Sequence, residues 1–269
     1  MSKKVSILTY NIFGLPFGTK RYSERMKKIA TEIAKLDPDI ICLQEAWTRS
    51  TKQRLIKTLA KTGHKYHHFD KGIIPAVGLL TISRFPIVKS RLVKAKYIFY
   101  GFNDSVFEFF GRKGYQINEL EIYNQRIYVI NVHLEVKWDY KDVRGEKLDK
   151  LKTNIENDKE LIEEIEKLGD NKIIVAGDFN REPTSSTIKY FEEQGDLINI
   201  DFHTDRTYLG QELFKHVSPP LVSVYNDYIF LKNFKTDDII DAKPVFNEAV
   251  SEEELLSDHL GLFSVLNLE

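Results

Sequence analysis

The chain has 269 residues, 42% of them hydrophobic and 29% charged, with a formal net charge of −1. Those values are ordinary for a globular protein and argue against disorder, while near-neutrality leaves no bulk attraction towards nucleic acid or anionic lipid. Its one cysteine, Cys42, lies in the apolar run Ile40-Ile41-Cys42-Leu43 and reads as a small buried hydrophobe, so neither a disulfide framework nor a cysteine metal site is expected.

Val5 to Tyr10 is a short β-favouring run that ends at Asn11, without the small-residue cleavage site of a leader. The expected location is therefore cytoplasmic, or secreted had a leader been removed. Gly14-Leu15-Pro16 is turn chemistry. Met26, Ile29, Ala30 and Ile33 recur at helical spacing behind Ser23, a candidate N-cap, and the helix is expected to stop near Asp37-Pro38. Ile40 to Leu43 follows as a buried strand leading to Gln44 and Glu45. Strand, helix, strand is the opening of a layered α/β fold.

Thr51 to Lys61 has helical spacing, and Val77 to Ser83 reads as a strand running into Arg84-Phe85-Pro86. Between Lys96 and Gly114, Tyr97, Phe99, Tyr100, Phe102, Phe107, Phe109 and Phe110 crowd around two glycines. That segment fits ordinary packing, a lipid-headgroup surface or a base-stacking surface, and the alternatives stay open. Ile127 to Val132 is a strand ending at His133. From Tyr140 to Leu168, apolar residues including Ile155, Ile162 and Ile165 recur at helical intervals within a charged, solvated helix. Ile173 to Ala176 runs into Gly177-Asp178-Phe179-Asn180, and strands over Tyr228–Leu231 and Leu262–Leu266 complete the pattern. No composition break or repeat divides residues 1–269, so a single domain is expected. No run of about twenty apolar residues could span a bilayer.

Asn11, Glu45, His133, Asp178, Asn180, Asp227, Asp258 and His259 each lie at or beside the end of a predicted strand. In layered α/β folds that rim is where sites assemble. Glu45, Asp178 and Asp258 offer the carboxylate oxygens that hard cations such as Mg²⁺ prefer, and Asn11 and Asn180 offer neutral amides. Two histidines can divide proton transfer between attacking water and leaving oxygen, with Asp227 a candidate to orient His259. Taken singly, each residue reads equally as a turn, a cap or a satisfied strand-end polar group. Their conjunction carries the argument.

Seven segments in order, Leu8-Thr9-Tyr10-Asn11-Ile12, Asp39-Ile40-Ile41-Cys42-Leu43-Gln44-Glu45, Ser83-Arg84-Phe85-Pro86, Asn131-Val132-His133-Leu134, Gly177-Asp178-Phe179-Asn180, Asp227-Tyr228-Ile229-Phe230 and Ser257-Asp258-His259, resemble the motifs of the endonuclease/exonuclease/phosphatase superfamily. Asn11-Ile12-Phe13-Gly14-Leu15-Pro16 and the Lys113-Gly114 pair are similar to its neutral-sphingomyelinase branch, whereas Phe179 and Arg181-Glu182 depart from the inositol polyphosphate phosphatases. The resemblance implies a four-layered α/β sandwich, two mixed β-sheets face to face with helices outside. It implies Mg²⁺ or Mn²⁺ near Glu45, Asn11 and Asp258. Asp178 and Asn180 would contact phosphate, water or a second metal, His259 with Asp227 would be the base, and His133 the second histidine. Asn131 and Lys113 are the expected substrate contacts. The implied activity is phosphodiester hydrolysis; a monomer with no obligate protein partner is expected. The substrate would be a lipid headgroup or nucleic acid, with a nuclease or an inactive binding module as the alternatives.

Overall fold

The computed structural model describes residues 3–15, 21–70, 78–95, 113–135, 149–209, 224–247 and 255–269, with the backbone alone for 149–154. Six strands, β1 (Lys4–Asn11), β2 (Ile40–Gln44), β3 (Tyr66–His68), β4 (Leu80–Ser83), β11 (Ile239–Val245) and β12 (Gly261–Asn267), form one sheet in the order β11-β12-β1-β2-β4-β3. The other sheet contains β5 (Ile87–Lys94), β6 (Gly114–Ile122), β7 (Gln125–His133), β8 (Lys172–Asp178), β9 (Ile198–Asn199) and β10 (Asp227–Lys232). Its order is β5-β6-β7-β8-β10-β9. Both sheets are mixed: β1 and β2 pair in parallel, as do β7 and β8, among antiparallel neighbours. The described helices are α1 (Tyr22–Leu36), α2 (Arg49–Leu59), α3 (Asp149–Glu166) and α4 (Ser186–Glu193).

Alternation along each strand sorts side chains into three apolar layers. Val5, Ile7, Ile40 and Cys42 meet Val129, Ile127, Ile174, Ala176 and Ile229 between the sheets. Their neighbours Leu8, Tyr10, Ile41 and Leu43 face Met26, Ile29, Ile33 and Leu55 of α1 and α2. On the far side Ile130, Val132, Ile173 and Val175 face Leu161, Ile162, Ile165 and Phe191 of α3 and α4. The result is helix, sheet, sheet, helix, the four-layered sandwich that the motifs imply. Strands buried on both faces explain why β2 and β8 read as unbroken apolar runs.

Several local expectations need correction. Helix α1 starts behind Arg21, not Ser23: Arg21 takes a left-handed conformation with φ 55° and its carbonyl accepts from Glu24 N at 2.9 Å. Ser23 lies inside the first turn, where its hydroxyl accepts from Arg54 at 2.7 Å. The stop comes as expected, with Asp37 capping Ile33 O. Ile155 is exposed, not part of the apolar face of α3. Strands β3, β5, β6, β9 and β11 and helix α4 are additions to the sequence reading. The aromatic segment is outside the described residues apart from Lys113, Gly114 and Tyr115, as are 140–148 of the charged helix. Among the described residues no helix is long and apolar enough to cross a membrane.

Candidate active site

The strand parity that sorts the core also builds the site. On the inter-sheet face, Ile7 is followed by Thr9 and Asn11, Cys42 by Gln44, Val129 by Asn131 and His133, and Ala176 by Asp178, while Asp227 precedes Ile229. One face therefore turns from apolar to polar as the strands reach the same rim. The approach is close: at Gly177 an added Cβ would lie 2.0 Å from Val132 O, so only glycine lets β8 lie this near β7 immediately before Asp178. Gly14 does the same for the turn after β1, where a Cβ would meet Glu45 O at 2.1 Å. Glu45 itself adopts φ 57°.

Asp178 Oδ2 is the hub. Asn11 Nδ2 donates to it at 3.0 Å, His133 Nε2 lies 3.5 Å away and His259 Nε2 3.8 Å away. Asn11 Nδ2 also reaches Glu45 Oε1 at 3.3 Å, and Glu45 Oε1 lies 4.0 Å from His133 Nε2. Phe13 N donates to Asn11 Oδ1 at 3.1 Å, which fixes the amide orientation. Asn11 thus turns its nitrogen, not its oxygen, towards the carboxylates. That departs from the expected role of a cation ligand.

His259 is oriented by Asp227, whose Oδ2 lies 2.8 Å from Nδ1. Burial works against the imidazolium, but Asp227 and Asp178 outweigh it and hold the pKa above the ordinary value. The opposite holds at His133, where burial, the Lys113 ammonium and His259 push the pKa well down and keep the ring neutral. Both its ring nitrogens are buried and make no hydrogen bond to a described residue, Nε2 facing Asp178 at 3.5 Å. Asp258 is buried, and desolvation with the Glu45 charge raises its pKa; Ser257 Oγ donates to its Oδ1 at 3.2 Å. Burial and Asp227 likewise raise that of Asp178. A nest of buried acids that disfavour one another's ionisation, facing a buried imidazole, fits a divalent cation. Asp178, Asp227 and His259 also offer atoms within 4.8 Å of one another, with His259 Nδ1 engaged by Asp227 and Nε2 facing Asp178.

Asn180, at φ 50°, donates from Nδ2 to Leu134 O at 2.9 Å, and its backbone N–H donates to Asp178 Oδ1 at 2.9 Å. Lys113 stands near enough for its charge to bear on His133 and Asp178. Asn131 does not join the group at the rim. Wholly buried, it accepts from Gln44 Nε2 at 2.8 Å and donates to Leu43 O, Leu80 O and Thr81 Oγ1, so its amide ties the two sheets together rather than facing substrate.

Two neighbours escaped the sequence reading. Tyr208 pairs with His259 in an antiparallel bridge, its ring 5.0 Å from the imidazole. Trp47 donates its indole N–H to Glu45 Oε2 at 3.4 Å and lies 6.2 Å, ring to ring, from His133. The only signal for Trp47 was adjacency to Glu45; Tyr208 had none.

A putative neutral sphingomyelinase of Drosophila melanogaster is 27% identical over 98% of this chain and 61% of its own length. An inositol phosphosphingolipids phospholipase C of Schizosaccharomyces pombe is 34% identical over 34% of this chain and 21% of its own. The chain thus spans less than two thirds of either relative. In structure, a variant of beta toxin from Staphylococcus aureus with bound magnesium ions superposes with a TM-score of 0.72 at 17% identity, covering 97% of this chain and 99% of the toxin. A profile described as the Endonuclease/Exonuclease/phosphatase family matches residues 8–259, and the chain belongs to that family.

Proposed function

We propose that the protein is a divalent-cation-dependent phosphodiesterase acting on a sphingolipid-type headgroup ester. The observation that carries this is the convergence of Asn11, His133 and His259 on one carboxylate oxygen of Asp178, between 3.0 and 3.8 Å, with Glu45 alongside. Both relatives by sequence are named for sphingolipid phosphoesters, which favours that substrate class. Near-neutral charge disfavours a nucleic-acid substrate, whose binding rests on Lys and Arg contacts to phosphates.

Glu45 and Asp258, with Asp178 adjoining, would hold Mg²⁺ or Mn²⁺, and Asn11 would brace Glu45 and Asp178 by donating to both. The cation would supply positive charge that polarises the phosphoryl oxygens and acidifies the attacking water. With a cation offsetting the carboxylate charges that favour its imidazolium, His259 would take the water proton at Nε2, since Nδ1 is committed to Asp227. His133, held neutral, has one ring N–H to offer the phosphoryl or leaving oxygen. Lys113 would add positive charge on the phosphate side, and Asn180 keeps its amide oxygen for water or phosphate. Proton transfers of this kind contribute about 10²- to 10⁴-fold each.

The test is hydrolysis by the purified protein with Mg²⁺ of sphingomyelin, plasmid DNA and bis(p-nitrophenyl) phosphate. Cleavage of sphingomyelin with release of phosphocholine is expected. Cleavage of DNA alone would overturn the substrate class, and cleavage of none with either cation would overturn the activity.

A further inference from the structure

Arg181 directly follows the fifth motif and is, with Phe179 and Glu182, one of the residues that depart from the inositol polyphosphate phosphatases, and no step above uses it. Its side chain is fully enclosed. Nη1 donates to three backbone carbonyls, Glu135 O at 2.5 Å, Asn180 O at 3.1 Å and Phe179 O at 3.3 Å. Nη2 and Nε reach Asp158 of α3, at 2.9 Å for Nη2 to Oδ1 and 3.3 Å for Nε to Oδ2, and Thr187 Oγ1 donates to the same carboxylate at 2.9 Å. Arg181 is 2% exposed and Asp158 3%.

The three carbonyls belong to the two segments that carry the candidate chemistry. Residues 133–135 follow β7 and hold His133; residues 178–181 follow β8 and hold Asp178 and Asn180. The segments are already stitched by Leu134 N to Asp178 O at 3.0 Å and Asn180 Nδ2 to Leu134 O at 2.9 Å. Asn180 sits in the left-handed region at φ 50°, which asparagine tolerates better than most residues, and its side chain and backbone N–H are both tied into these segments. Beyond Glu135 the link continues, because Glu135 Oε1 accepts from Lys113 N at 3.3 Å. Stability alone gives little reason for such a pair: a buried ion pair costs desolvation, and well-packed apolar residues in its place are often neutral or stabilising. What an apolar replacement cannot do is gather carbonyls from two loops onto one rigid fork.

We propose that Arg181, neutralised by Asp158, is a positioning residue that locks the 133–135 and 178–181 segments together and thereby sets Asn180 against Asp178 and His133. The inference rests on the catalytic reading of those residues, and its test separates the two. A triple variant, Arg181→Met with Asp158→Leu and Thr187→Val, removes every polar group of the pair at once, while Arg181→Lys keeps the charge and loses the fork. The triple variant is expected to lose some stability, because the Glu135, Phe179 and Asn180 carbonyls lose a donor, and to keep KM within about twofold, with kcat down by about 10²-fold, the cost of misplacing reacting groups by roughly 1 Å. Hydrogen exchange should quicken at Leu134, Glu135, Asn180 and Arg181 but not at residues 173–176, and Arg181→Lys should show the same pattern more weakly. Parental kcat in the triple variant, or unchanged exchange at those amides in a folded variant, would overturn the proposal. Should the triple variant fail to fold, Arg181→Lys decides by the same two readouts. Should the parent cleave no phosphodiester, the catalytic reading falls and exchange alone decides the lock.

Discussion

Asp227 and His259, one opening β10 and the other just ahead of β12, meet at 2.8 Å between Oδ2 and Nδ1 in a region closed to solvent. The contact fixes Nε2 as the imidazole nitrogen that faces Asn11 and Asp178. Asp227→Asn keeps the shape but can present an amide N–H to Nδ1, stabilising the opposite tautomer and withdrawing the charge that favours imidazolium. The expected outcome is a fall in kcat of about 10²- to 10⁴-fold with little change in KM, measured on whichever phosphodiester the parent hydrolyses. An Asp227→Asn enzyme with parental kcat would remove this pair from the mechanism.

Cation binding should be visible without any substrate. Burial makes Asp178 and Asp258 resist ionisation, so a bound divalent ion would relieve the folded state and leave the unfolded chain unaffected. At a concentration of about 100 times Kd, Mg²⁺ or Mn²⁺ would add roughly 2.7 kcal/mol of stability, enough to raise Tm by several degrees. Glu45→Gln should lose most of that shift, and excess chelator should reverse it in the parent. A Tm indifferent to both cations would argue against a site at Glu45.

Much of this arrangement is legible in the sequence because β1, β2, β7, β8 and β10 are buried on both faces, so apolar runs mark them and the polar residues at their ends stand out. Strand β6 is hidden for the opposite reason. Its inter-sheet face carries Gln116 and Asn118, fully buried, with Gln116 Oε1 accepting from Thr81 Oγ1 at 2.7 Å and Asn118 Nδ2 donating to Val129 O at 3.1 Å. The same face continues with Leu120 and Ile122, while Tyr115 and Ile117 pack on the opposite face, so the apolar alternation changes sides midway along the strand. Its turn is Tyr123-Asn124, both residues at positive φ, not the Asn-Gly pair that advertises a hairpin. Arg181 was illegible for another reason: its partners include the Glu135 carbonyl and the Asp158 carboxylate, which only the fold brings near.

The same parity separates Asn131 from the rim. His133, two residues on, shares its face, but Asn131 sits one step deeper, where Gln44, Thr81 and two strand carbonyls use its amide. Asn131→Ala leaves those buried groups unpaired at about 1–3 kcal/mol. The expected result is a lower denaturant midpoint with KM within about twofold of the parent; a raised KM at unchanged stability would restore Asn131 to the substrate.

Lys52 allows a pH test away from the site. Its ammonium lies 5.3 Å from the Phe69 ring centre, the residue is 3% exposed, and burial lowers its pKa from 10.5 to about 8, with Asp70 opposing. For a base with a lowered folded pKa, the unfolded chain binds the extra proton between those two values, so unfolding becomes harder as pH rises from about 8 towards 10.5 and the destabilisation is fully present below 8. Lys52→Met keeps the length of the stem and removes the charge. It should stabilise the protein at pH 7 by on the order of 1–3 kcal/mol, and the difference between variant and parent should shrink as pH climbs through the window, read as ΔG from urea unfolding at each pH. A difference that stays flat from pH 7 to pH 10 would mean that the Lys52 ammonium reaches water in the folded protein.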